Sequence, residues 1–261
     1  MEGSILSDEL QFHLKIKPGD VGKYVILPGD PGRVPSIAAR LENAEEVAYN
    51  REFRTFTGYL SGEKVSVTST GIGGPSAAIA VEELVKCGAF TFIRVGTSGG
   101  MAAEVVGGDL VVATAAIRGE GTSHEYIPAD YPAAANFDVI SALQKSAAAL
   151  SEDADGKRFH VGVIQSKDSF YGETNPETMP VDELLEKRWR EYLRCGCLTS
   201  EMECAALFSV GIARKVRVGA VLTAIWNVER TKLGLSNPTY MDSGRAIDCA
   251  VGALRILIEK G

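Results

Sequence analysis

Short apolar runs alternate with longer stretches of helical apolar periodicity from one end of the chain to the other. The runs Lys23–Pro28, Thr55–Leu60, Lys64–Thr70, Thr91–Val95, Asp109–Ala113, His160–Gln165 and Arg217–Ile225 are rich in Val, Ile and Thr, which suits pleated surfaces and predicts strands. Helices are predicted over Pro35–Leu41, Ser76–Cys87, Phe137–Leu150, Asp182–Arg194, Glu203–Lys215 and Asp242–Glu259. Asp242 and the Ser and Gly after it offer the last of these a cap. Such alternation predicts an α/β fold with a central mixed, largely parallel sheet flanked by helices. No Ser/Pro-rich linker, repeat or low-complexity tract divides the chain, so residues 1–261 read as a single domain.

Polar, glycine-rich segments fall just after three of the strands. They are Gly29-Asp30-Pro31-Gly32, Gly71-Ile72-Gly73-Gly74-Pro75 and Gly96-Thr97-Ser98-Gly99-Gly100. Ligands of open α/β sheets gather at the carboxyl ends of strands, so three such loops point to one shared site. Each alone also reads as an ordinary turn. No loop has the GxGxxG or GxxxxGK[ST] format, which disfavours a Rossmann dehydrogenase and a P-loop ATPase.

Composition narrows the class. The 261 residues, 45% hydrophobic and 23% charged, describe a soluble globular protein with ample core. A net charge of −7 argues against a nucleic-acid binder, which would show a basic face. No run approaches the ~18 apolar residues that span a bilayer, and MEGSILSDELQFHLKIK lacks the basic and apolar regions of a signal peptide. Five cysteines, an odd number in a chain too long to need staples, read as cytoplasmic thiols. Cys195-Gly-Cys197 has no second cysteine pair nearby and only three histidines exist, so structural zinc is disfavoured.

The arginines carry the chemistry. Arg94 sits inside the apolar run TFIRVGT, where an unpaired guanidinium would be costly and calls for an anionic partner. Arg33 follows the first glycine-rich loop and Arg51 stands beside a strand end. Each has a plain reading as a surface or structural ion pair. Together their forks of donors match a phosphate dianion without metal. In Ser200-Glu201-Met202-Glu203, Glu201 is either a helix-capping acid or, with Glu203, a carboxylate that accepts from vicinal sugar hydroxyls.

Leu27-Pro28-Gly29-Asp30-Pro31-Gly32-Arg33, Ser69-Thr70-Gly71-Ile72-Gly73-Gly74-Pro75-Ser76, Arg94-Val95-Gly96-Thr97-Ser98-Gly99 and Ser200-Glu201-Met202-Glu203 resemble the hexameric nucleoside phosphorylases, and uridine phosphorylases most. The resemblance runs from about Phe12 to the C-terminal helix. It implies reversible phosphorolysis of a nucleoside to free base and pentose 1-phosphate, with orthophosphate as co-substrate and no organic cofactor. It implies a phosphate site of Gly29, Arg33, Arg94 and Thr97, with Arg51 from a neighbouring subunit. Met202, Glu203 and Glu201 would meet the ribose, with His13 from that same neighbour. Ser98, Gly99 and a stacking Phe170 would hold the base, and Arg94, Glu203 and Arg33 would carry catalysis. A monovalent cation at Glu52, Ile72 and Ser76 and a cytoplasmic homohexamer with shared sites also follow from it. His124 and His160 read as structural.

One stretch departs from the pattern. Uridine phosphorylases typically read uracil with a glutamine and an arginine after the Phe-Tyr pair; here Glu173 and Thr178 fall at those positions. An ionised Glu173 only accepts, which suits a base presenting N–H groups such as a 6-oxopurine, and Thr178 cannot replace a guanidinium at equal strength. Arg230 is a candidate to compensate. A uridine phosphorylase is the leading reading. A purine nucleoside phosphorylase, a hydrolase using water, and a non-catalytic nucleoside binder are the alternatives.

Overall fold

Strands buried on both faces read as near-continuous apolar runs, and most of those predicted above become strands in the computed structural model, which describes residues 10–152 and 158–261. They are β1 (Tyr24–Pro28), β2 (Glu42–Asn50), β3 (Phe53–Leu60), β4 (Glu63–Thr68), β5 (Thr91–Gly100), β6 (Leu110–Gly119), β7 (Ala133–Ala134), β8 (Phe159–Lys167), β9 (Thr199–Glu201) and β10 (Arg217–Asn227). The helices are α1 (Val34–Ala38), α2 (Gly74–Lys86), α3 (Phe137–Glu152), α4 (Phe170–Thr174), α5 (Asp182–Arg194), α6 (Cys204–Arg214), α7 (Val228–Lys232) and α8 (Gly244–Lys260).

Strand β5 is the hub of one mixed sheet. It pairs in parallel with β1 and β10, and its last two residues pair antiparallel with β9. From β10 the sheet continues through β6 and β8 back to β9, so five strands close a ring around the carboxyl half of β5. On the other side β1 pairs in parallel with β4, and β3 and β2 follow antiparallel. Period-two alternation then serves two cores. Val25, Leu27 and Phe92 face α2 and α6 through Val81, Leu84, Leu207 and Phe208. Ile26 and Ile93 face α1, α3 and α8 through Ile37, Leu143 and Leu254.

Two expectations change. The strand expected to end at Val95 runs on to Gly100, so the third glycine-rich segment is sheet backbone, while the first two are loops that run into a helical turn at Pro31 and into α2 at Gly74. Neighbours on both sides supply the ladder that glycine's own preference does not. Strand β2, ENAEEVAYN, went unpredicted because its side chains are largely exposed and three of the nine are glutamates; as an edge strand its charges discourage pairing with another chain. His160 is structural, bonding Asp109 at 2.9 Å. The reading of the N-terminus rests partly on residues 1–9, which lie outside the described residues. No described helix is long and apolar enough to cross a membrane.

Candidate active site

The carboxyl ends of β1, β4, β5, β8 and β9 converge on a cavity of about 770 Å³, within the range that engulfs a small ligand. Arg94 lies in it, 4% exposed. Its Nε donates to Glu201 Oε2 at 3.0 Å and its Nη2 to Glu203 Oε2, so the anionic partner demanded by its burial is double and internal. Burial pulls against the charge on Arg94, but Glu203 and Glu201 outweigh it and hold the guanidinium above its ordinary value. Nη1 is left over, buried without a hydrogen-bond partner. Gly96 makes this placement feasible: a Cβ there would stand 2.8 Å from Arg94 Nη2 and 2.9 Å from Leu222 Cδ2.

The leftover nitrogen faces other donors. The Gly29 loop is its neighbour, since a Cβ on Gly29 would lie 3.9 Å from Arg94 Nη1. Arg33 closes the short helical turn that follows, capped by Asp30, and is half-buried at the cavity with no side-chain partner among the described residues. Burial lowers its pKa, Asp30 pulls the other way, and the like charge of Arg94 lowers it again. Two guanidiniums that repel one another around an N–H without a partner among the described residues are suited to hold an anion. Thr97 and Ser98 line the same floor, and the Ser98 hydroxyl is buried without a partner.

The two carboxylates differ in what they have left. A carboxylate offers about four acceptor positions. Glu201 fills its own with Arg94 Nε, Ser166 Oγ and the amides of Glu203 and Cys204. Arg94, Ser166 and those amides overcome the burial penalty and keep it below the usual carboxylate range. Glu201 is therefore the capping acid of α6 and the anchor of Arg94, and has no capacity for a ribose. Among the described residues Glu203 accepts from Arg94 Nη2 and from the Gly73 amide at 2.7 Å, so lone pairs remain. Burial pushes its pKa up, Arg94 opposes, and the charge of Glu201 adds to the rise.

Met202, Gly99, Phe170 and Glu173 line the same cavity. Glu52, Ile72 and Ser76 stand together at it, with Ser76 Oγ donating to Glu52 Oε1 at 2.8 Å. Gly71 permits that approach: its φ is +70°, and a Cβ would meet Glu52 Cγ at 2.6 Å. Arg51, His13 and Thr178 do not line it. Arg51 is exposed in the turn between β2 and β3, and His13 bonds Glu83 at 2.7 Å. Asn50 donates to the His13 carbonyl at 2.7 Å, so both residues belong to one surface patch. Thr178 is exposed and donates to the Asn175 carbonyl in a helical turn. Arg230 spends its guanidinium on the carbonyls of Ser236 and Ala103, outside the lining. The compensation expected from it is therefore not made.

Sequence reasoning missed Lys167, Trp189 and Trp226. Lys167 ends β8 just before the Asp-Ser-Phe motif, and a cation at the carboxyl end of a strand is the signal that could have found it. Trp226 follows a register shift between β10 and β5, and such a bulge re-aims side chains. Trp189 is a lone indole on the charged helix α5 and donates to Glu229 at 2.7 Å, joining α5 to α7.

Residues 23–233 match the model of the family described as the phosphorylase superfamily. A uridine phosphorylase of Treponema pallidum is 49% identical over 98% of this chain and 97% of its own length. A uridine phosphorylase of Thermococcus kodakarensis is 44% identical over 86% of this chain and 80% of its own. A guanosine phosphorylase of Halorubrum lacusprofundi is 41% identical over 84% of both. A family match over residues 23–233 and similarity of this depth and extent mean that the chain belongs to the phosphorylase superfamily.

Proposed function

We propose that this protein is a nucleoside phosphorylase, a pentosyltransferase that reversibly exchanges a nucleoside's base for orthophosphate, with uridine the favoured substrate. The observation that carries this reading is Arg94 Nη1, which has no hydrogen-bond partner among the described residues, beside the half-buried guanidinium of Arg33. Phosphate would take those donors together with the Gly29 amide and Thr97. Glu203 and Met202 would hold the ribose, and Phe170, Ser98 and Gly99 the base.

Breaking the glycosidic bond builds positive charge at C1′ and negative charge on the departing base. A phosphate dianion held beneath the sugar stabilises the first charge and then bonds to C1′. The protein positions and neutralises, and supplies no nucleophile of its own. Glu173 at the cavity also admits a second substrate class, the 6-oxopurine nucleosides, since a carboxylate accepts from the ring N–H that they, like uracil, present. Incubation of the protein with uridine, thymidine and inosine, with and without phosphate, is the test. Base release that requires phosphate is the expected result; release without phosphate would make it a hydrolase, and no release a binder.

Arg51 and His13 enter the same proposal through a twin. Both sit on one patch beside exposed Phe12, and Ile72 is 78% exposed at the cavity, apolar surface of the kind a neighbouring subunit covers. The whole chain would then be one domain of a cytoplasmic homo-oligomer, a hexamer built from dimers. Glu52, Ser76 and the backbone oxygen of Ile72 are hard donors suited to an alkali cation, but one carboxylate is half a shell, and the other half would come from the partner. Chains carrying Arg51→Ala and Arg94→Ala, each inactive alone, should recover roughly a quarter of wild-type activity when refolded together. Half of random pairs are mixed, and each mixed pair keeps one intact site of two. Absence of recovery in confirmed mixed oligomers would refute the shared site.

A further inference from the structure

We infer that Lys167 supplies the positive charge that holds a carbonyl oxygen of the departing base, so that the substrates are nucleosides of oxo-bases. The inference rests on the phosphorylase reading above and concerns a residue outside the four motifs that carry that reading.

Lys167 is 8% exposed and lines the cavity from the end of β8. Its ammonium bonds the Glu173 carboxylate and, at 2.9 Å, the Ser200 hydroxyl, which itself donates to Glu173 at 2.9 Å. A lysine has three donors, and among the described residues Glu173 and Ser200 take two of them, with the Phe170 ring face beneath the ammonium. The Nζ lies 5.7 Å from the centre of the Phe170 ring, the side chain expected to stack on the base. A buried ion pair contributes little to stability compared with apolar groups of the same shape. Its location on a cavity wall gives it another use.

That use answers the departure noted in the sequence. Thr178 cannot supply the missing guanidinium, being exposed and bonded to Asn175, and Arg230 is tied to backbone carbonyls. Lys167 brings a cation to the cavity from a different stretch of chain. As the C1′–N bond breaks, its electron pair passes to the base and delocalises onto the carbonyl oxygen, while a phosphate oxygen bonds to C1′. The ammonium donates a hydrogen bond to that oxygen and keeps its proton; the base anion takes one from water after release. Glu173 and Ser200 hold the ammonium in place, and Glu173 has lone pairs left for a ring N–H beside the carbonyl. Uracil, thymine, hypoxanthine and guanine carry such a carbonyl. Adenine has none.

Steady-state phosphorolysis of uridine, 5-fluorouridine, inosine and adenosine by wild type, Lys167→Met and Lys167→Arg tests this. Wild type should prefer inosine to adenosine by ~10²-fold or more in kcat/KM, and Lys167→Met should lower kcat for uridine by ~10²-fold with a smaller change in KM. The loss should shrink for 5-fluorouridine, whose anion needs less help, and Lys167→Arg should restore part of it. The double variant Lys167→Met with Glu173→Gln leaves no orphaned carboxylate and serves if the single variant fails to fold. Equal losses on all four substrates, or an unchanged inosine-to-adenosine ratio, would overturn the role. Quenching of the cavity indoles Trp189 and Trp226 by free hypoxanthine and adenine separates the two readings. If wild type releases no base in phosphate, the phosphorylase reading falls, while a Lys167-dependent preference for hypoxanthine still upholds this one and its absence overturns it.

Discussion

Replacing Arg94 by alanine is expected to lower kcat/KM for phosphorolysis by ~10²-fold or more, several kcal/mol of lost transition-state stabilisation. The side chain is almost wholly out of water, and its Nη1 has no acceptor among the described residues. A charge-assisted bond formed there is not weakened by competing solvent. The loss should appear both in kcat and in the concentration of phosphate needed for half-saturation. Arg94→Ala also frees Glu201 and Glu203 from their shared cation, so folding must be checked by thermal unfolding. Arg33→Met provides the clean comparison, because Arg33 has no side-chain partner among the described residues to lose. A folded Arg94→Ala protein with near-wild-type rates would refute the assigned anion site.

Glu201→Ala should unfold the protein most readily. Breaking a buried charge pair by removing one partner costs ~3–5 kcal/mol, on the order of 10 °C in Tm for a chain of this size. Glu201 ties β8, β9, α6 and Arg94 together through Ser166, its own strand and the Glu203 and Cys204 amides. Its carboxyl is held below the usual range, so its stabilisation is complete above the unfolded value and is lost as pH falls through the folded one. Wild type and variant should therefore converge in acid and differ most near neutrality. Scanning calorimetry at several pH values checks this, and equal Tm at pH 7 would contradict it.

Much of this was legible in the chain. Arg94 announces itself, since a guanidinium within TFIRV must be paired, and the glycines of the first two loops sit where backbone approaches charge. Helix α5 was read with its observed bounds. What escaped has physical causes. Strand β2 exists because β3 offers it a ladder, and its exposed acids carry no apolar signal. The second half of β5 is glycine-rich and becomes strand only through its neighbours. Glu201 and Glu203 look interchangeable in Ser-Glu-Met-Glu, and only the count of donors around each separates anchor from ligand reader. Lys167 and Glu173 are six residues apart in sequence, and their pairing depends on the turn into α4.

The long course of β5 has a consequence for how such a protein can change. Arg94 and Ser98 are rungs of one ladder, ~13 Å apart at ordinary strand rise, and each is locked to β10 across the way. The ladder is continuous between them, so the span from Arg94 to Ser98 is a fixed gauge. Inserting one residue there would turn every rung beyond it to the opposite side. New specificities must accordingly arise where spacing can drift, in the turn at α4, in the indole-bearing α5 and in the bulge that sets Trp226, while the gauge itself stays as it is.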